Sequence, residues 1–177
     1  MLRPNLAKYI ALLLLLLASP AFAQKVKYKD IFGLLSVKQY EQAEPFLKTY
    51  LKENTDNPNA YLFMGVIYKE KAEAADILLN TDRSIQQMDS AILFFNNSLK
   101  ILDEKEVRKN KEYYVMYNKR DLRTGEFGVK LSDVQFDLEK KIEGLRERID
   151  KVKMVKFYFT KSNDLYNGAI DLFKIIQ

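Results

Sequence analysis

The sequence predicts an all-α protein, and three observations carry that expectation. Beyond residue 24 the helix breakers are sparse, only Pro45 and Pro58 with Gly33, Gly65, Gly125, Gly128, Gly144 and Gly168. Between them the apolar residues recur every three or four positions, which is the period of one face of a helix. No stretch alternates apolar and polar residues for long, as a half-buried strand would.

The first residues read as a leader. Met1 to Lys8 carries Arg3 and Lys8 and no acid, Tyr9 to Ala18 is unbroken apolar sequence with leucine from Leu12 to Leu17, and Ser19-Pro20 interrupts it. Ala21-Phe22-Ala23 then places small residues where a signal peptidase reads. This order predicts a cleavable signal over residues 1–23 and export to the periplasm or extracellular space. An uncleaved anchor fits less well, because the apolar run is about half of the ~20 residues that cross a bilayer. The remaining chain, 24–177, is long enough for one core.

Composition narrows the chemistry. Without Arg3 and Lys8 the chain keeps 27 basic and 24 acidic residues, a net +3, which gives no reason to expect a nucleic-acid partner. Histidine, cysteine and tryptophan are absent. That removes histidine triads, thiol nucleophiles and His/Cys metal sites, and it leaves no disulfide, so helix packing must hold the fold. Carboxylate or Ser–Lys catalysis has no supporting motif. The expectation is a non-enzymatic protein with no cofactor, no metal site and no catalytic residue.

The elements follow in order. A first helix is expected over Val26–Leu35, with Ile31, Phe32, Leu34 and Leu35 as its apolar residues. A second starts near Lys38 and carries Pro45 early, with Tyr40, Ala43, Leu47, Tyr50 and Leu51 as its buried stripe. Asn54 to Asn59 is turn chemistry, and Pro58 suits a helix start. A third helix is expected from Asn59 to about Leu79.

The stretch from Tyr40 to Tyr68 resembles the tetratricopeptide repeat family. Tyr40, Ala43, Leu47 and Leu51, a polar turn, then Ala60-Tyr61, Met64-Gly65 and Tyr68 fall at that family's spacing. Thr55 departs from it where proline is usual. The resemblance implies antiparallel helical hairpins in a short solenoid, with Ala43 and Gly65 small at close helix crossings and Tyr61, Met64 and Tyr68 in the seam to the next pair. Two weaker echoes follow, Asp89 to Leu99 and then Tyr166, Ala169, Phe173 and Ile176. The first echo lies 14 residues later than a regular array would place it. Residues 24–102 therefore read as repeat-like helices.

Residues 103–160 read as a long protruding helical hairpin with a loop near 119–131. Ile92, Phe95, Leu99 and Leu102 step by three and four, and Tyr113 and Met116 resume the phase. Leu138, Ile142, Leu145, Ile149, Val152 and Phe159 form the other arm, a coiled-coil style seam. Ser132 with Gln135 is a capping-box start. Residues 161–177 read as the start of a further repeat-like helix. That helix remains apolar to the end, whereas repeat arrays need polar caps. The expectation is a longer repeat protein, or pairing with another subunit through this helix.

Two surfaces are candidates for binding a protein or peptide. On the inner helix they are Asn59, Leu62, Val66 and Lys69, with Phe63 between them. Only Asn59 and Lys69 suit a carboxylate clamp of the kind some tetratricopeptide domains use, so an apolar groove is the better expectation. At the hairpin tip, residues 105–130 hold eight basic and four acidic residues, with Arg108, Lys111, Tyr113, Tyr117, Arg120 and Arg123 as candidates. An acidic protein face fits this tip. Contact with anionic lipid headgroups has no further support. The second functional expectation is a structural envelope protein that self-associates through the hairpin or the terminal helix.

Overall fold

The computed structural model describes residues 26–176, so the leader expected at 1–23 lies outside the described residues. The chain runs α1 (Tyr28–Ser36), α2 (Tyr40–Glu53), α3 (Pro58–Ala74), α4 (Thr81–Ile101), α5 (Glu104–Lys109), a 3-10 segment (Lys111–Tyr117), β1 (Lys119–Arg120), β2 (Phe127–Gly128) and α6 (Leu131–Ile176). The fold is all-α, as expected. Among the described residues the only sheet is the antiparallel β1–β2 ladder, which pairs Lys119 with Gly128 and Arg120 with Phe127.

Local chemistry sets the boundaries. Asn57 accepts the Ala60 amide at 2.9 Å and Pro58 fills the first helical position of α3, which satisfies one of the amides a helix start leaves free. The third helix stops at Ala74, short of the expected Leu79. Asp76 Oδ1 accepts the amides of Leu78 and Leu79 at 2.9 and 3.2 Å, and this side-chain turn competes with another helical turn. Pro45 sits inside α2 and is exposed, so its ring points to water.

The helices pack as successive antiparallel neighbours. Glu44 of α2 pairs with Lys71 of α3 at 2.5 Å. Ser98 and Ser84 of α4 donate to the carbonyls of Pro58 and Ala72 at the two ends of α3, at 2.8 and 3.3 Å. Phe95 of α4 lies on Gly65 so closely that an added Cβ would sit 2.4 Å from its ring. Gly65 therefore lies at a close helix crossing, and the helix across it is α4. Tyr61 and Tyr68 face Phe94 with centroids 6.4 and 5.4 Å apart. α6 runs antiparallel to α4, and Arg148 reaches Glu73 of α3 at 3.5 Å.

Of the two arms expected for the hairpin, the structure packs one on the body and breaks the other. Val134, Leu138, Ile142, Leu145, Ile149 and Val152 are buried on α6. The other arm is broken: α4 ends at Ile101, and Asp103 restarts the chain by accepting the Glu106 amide at 2.7 Å. The 3-10 segment turns three residues per turn instead of 3.6, which rotates the phase. Tyr113 stays half-buried while Met116 faces solvent. α6 begins at Leu131, with the Lys130 carbonyl accepting the Val134 amide at 3.4 Å, so Ser132 lies in the first turn and not at the cap. No break separates 160 from 161, because α6 is one helix of 46 residues. Phe159, expected in the seam, is exposed.

Candidate partner-binding surfaces

The inner-helix candidates are used by the fold itself. Asn59 is buried; it accepts from the Tyr28 hydroxyl at 2.5 Å and donates to the Tyr113 carbonyl at 2.9 Å. Leu62 is buried as well, while Val66 and Lys69 are half-buried and Lys69 pairs with Glu73 at 2.9 Å. The reason lies in α1 and the 3-10 segment, which fold over the start of α3. Tyr28 and Phe32 meet the Tyr113 ring at 5.0 and 4.8 Å, and Phe32 meets Phe63 at 5.7 Å. The space over Asn59 and Phe63 is therefore filled by the chain's own aromatic side chains, and Leu62 lies in the core.

Tyr113 and Tyr117 also belong to this packing. Tyr117 donates to Asp137 of α6 at 2.6 Å, and Lys141 pairs with the same carboxylate. The buried Tyr114 donates to Glu106 at 3.5 Å. Burial, and then the neighbouring carboxylates Glu106 and Asp137, push the Tyr114 and Tyr117 phenols far above their ordinary value. Tyr117 ties the hairpin base to α6, and Tyr114 ties the 3-10 segment back to α5.

The tip itself is a polar turn with two apolar side chains in the open. Asp121 accepts the amides of Arg123 and Thr124 at 2.9 and 3.2 Å and pairs with Lys130 at 2.9 Å. The Lys130 ammonium, then the two amides, hold the Asp121 carboxyl down to about 2. Gly125 takes φ 75°, a conformation that favours glycine. Arg108 pairs with Glu104 at 2.7 Å, and Arg120 donates to the Gly125 carbonyl at 3.3 Å. Lys111 and Arg123 are exposed. Leu122 is 99 % and Phe127 71 % exposed. The structure thus gathers the basic candidates of residues 119–130 on one protrusion, and separates them from Asn59 and Leu62 in the core.

A third surface, hinted at by the terminal apolar pattern, is the far half of α6. Beyond Val152 every described residue of α6 is exposed. This projecting half, 153–176, is about 36 Å long at 1.5 Å per residue. It carries Val155, Tyr158, Phe159, Leu165, Tyr166, Ile170, Leu172, Phe173 and Ile176, exposed by 36 to 82 %. At 100° per residue these side chains share one broad side of the helix, while Thr160, Asp164, Asn167 and Asp171 fall on the other together with the exposed Phe157 and Ile175. The contact to the body ends where Lys156 meets Asp82 at 2.6 Å, and Leu78 and Leu79 line a recess there with Val155 and Phe159. Among the described residues no helix is long and apolar enough to cross a membrane.

Comparison with protein-family models, curated proteins and solved structures finds no match for the chain. The functional reading therefore rests on its own residues.

Proposed function

We propose that the protein is an exported, non-enzymatic protein–protein interaction module built on tetratricopeptide-like helical hairpins, and that the projecting half of α6 is its main docking surface. One observation carries this: an amphipathic helical half with a broad apolar side that, beyond the recess at Val155–Thr160, meets no other element among the described residues. Soluble monomers rarely leave apolar patches above a few hundred Å² uncovered, and larger ones mark interaction sites. A helix face of this kind recognises its partner through anchors spaced three and four residues apart. The packed half of α6, held by α4 and by the Tyr117–Asp137 bond, supplies the rigid base. The basic tip offers a second contact point for an acidic protein, favoured by the exposed Leu122 and Phe127 beside Arg120 and Arg123.

A photo-crosslinking residue placed at Tyr166 tests the reading in the cell that makes the protein. The expected result is a discrete protein adduct at Tyr166 and none at the exposed polar control Glu139. Equal, diffuse labelling at both positions would count against a docking face on α6.

A further inference from the structure

We propose that the occupant of the projecting half of α6 is the same half of a second copy, running antiparallel, with the two-fold axis passing between Leu165 and Tyr166. This deepens the docking role argued above and rests on it.

The order of residues along the apolar side is close to palindromic. Counted outward from the Leu165–Tyr166 midpoint, Ser162 matches Ala169, Phe159 matches Leu172, Tyr158 matches Phe173 and Val155 matches Ile176. Small thus stands against small, large against large and β-branched against β-branched. A two-fold interface is isologous, so residue i meets j and j meets i. In an antiparallel pair centred on that midpoint, each of these matches becomes a contact between copies. Ser162 and Ala169 let the two backbones approach near the centre, and the aromatic and leucine side chains close over them on either flank. A heterologous partner would have no need of this symmetry.

Spacing and charge agree with it. Val155, Ser162, Ala169 and Ile176 recur every seven residues, as do Tyr158, Leu165 and Leu172, and also Phe159, Tyr166 and Phe173. A sustained seven-residue repeat is what one helix presents to another. The lysines do not oppose one another: Lys156, Lys161 and Lys174 come level with Ile175, Ile170 and Phe157 of the second copy.

The area suffices. Tyr158, Phe159, Tyr166 and Phe173 are each more than half exposed, and with side chains of about 150–250 Å² they leave roughly 500 Å² open. The aliphatic residues between them bring the face to roughly 900 Å², near the ~800 Å² per partner of a standard stable interface. The second copy also has room. The seam packed on the body would continue through Lys156 and Asn163, and the apolar side instead turns about a third of the way round the helix. A helix docked there clears α4, and its Ile176 comes level with Val155, next to Leu78 and Leu79.

Cysteine pairing tests both occupant and register, because the chain has no cysteine of its own. Ser162→Cys and Ala169→Cys chains, both altered at exposed positions, are purified, mixed and oxidised. The mixture is expected to form a disulfide dimer several-fold faster than either variant alone. In the proposed pair Ser162 lies about 10 Å along the axis from its own copy, beyond the ~7 Å Cα separation a disulfide allows. Light scattering of the unaltered chain should give twice the chain mass at micromolar concentration. Cross-linking of Ser162→Cys alone at the rate of the mixture would show a parallel pair and overturn the inference. A monomer at all concentrations would overturn it too. In that case a Tyr166 photo-adduct to a different protein would preserve the docking role, and the absence of any adduct would remove both.

Discussion

The two halves of α6 are made of similar residues and meet opposite fates. Residues 131–152 present Val134, Leu138, Ile142, Leu145, Ile149 and Val152 to the body, and all six are buried. Residues 153–176 carry a comparable load of Leu, Ile, Phe and Tyr, and every one is exposed. The packed half faces α4 in a step of four and three that ends at Val152. Of the next three matching positions, Lys156, Phe159 and Asn163, two are polar. α4 begins at Thr81, level with Lys156 through the Asp82 ion pair, so the body stops where the seam turns polar. The difference teaches that period alone makes a helix apolar on one side, whereas burial needs a neighbour placed on that side.

The sharpest way to break this comparison is to make one substitution in both halves. Leu138→Ala should cost about 2–5 kcal/mol, as fully buried leucines do, because Leu138 is fully enclosed. Leu165→Ala should change monomer stability by no more than about 0.5 kcal/mol, the range of exposed sites. Urea unfolding at a concentration too low for association checks both. Similar losses at the two sites would mean that the projecting half packs on its own body in solution.

Glycines give a second, smaller contrast. Gly65→Ala brings a Cβ to 2.4 Å from the Phe95 ring and should cost about 1–3 kcal/mol by overpacking. Gly168→Ala meets nothing within 4 Å and should stabilise the projecting half by up to about 1 kcal/mol through helix propensity. Thermal unfolding of the first and helical circular dichroism of the second should move in opposite directions.

The smallest expected effect is a pH dependence confined to the packed region. Burial alone would raise the Glu44 carboxyl, but hydrogen bonds and charge from Lys48 and Lys71 outweigh it and leave it below the ordinary value. A lowered folded value means that the pair contributes fully above the unfolded carboxyl value and that its contribution fades as pH falls through the folded one. Stability should therefore decline below about pH 4.5, and Glu44→Gln should flatten that part of the decline. The check is a series of urea midpoints between pH 6 and 3. An unchanged slope in the variant would remove Glu44 from the account.

Much of the fold was legible in the sequence, for identifiable reasons. Scarce glycine and proline with a three-four period gave the helical class, and Asn57-Pro58 marked the start of α3. The seam from Leu138 to Val152 was readable because it is regular and wholly apolar. The break after Ile101 was not, since Tyr113 happens to resume the seam phase, and only the 3-10 geometry shows Met116 in solvent. The end of α3 was not legible either, because it depends on the Asp76 side chain accepting the Leu78 and Leu79 amides. The candidate site was harder. Asn59, Leu62, Tyr113 and Tyr117 had the composition of a binding surface, and it took tertiary contacts among distant residues, Tyr28 with Asn59 and Tyr117 with Asp137, to place them inside. The terminal apolar pattern was visible throughout, but nothing local says whether such a face is covered.

If α6 is one helix with a structural half and a proposed docking half, amide hydrogen exchange must differ between them. At low concentration residues 131–152 should be strongly protected and 153–176 should exchange fast. Raising the concentration of the unaltered chain should slow exchange within 153–176 alone. Protection along the whole of α6 that does not change with concentration would contradict the account.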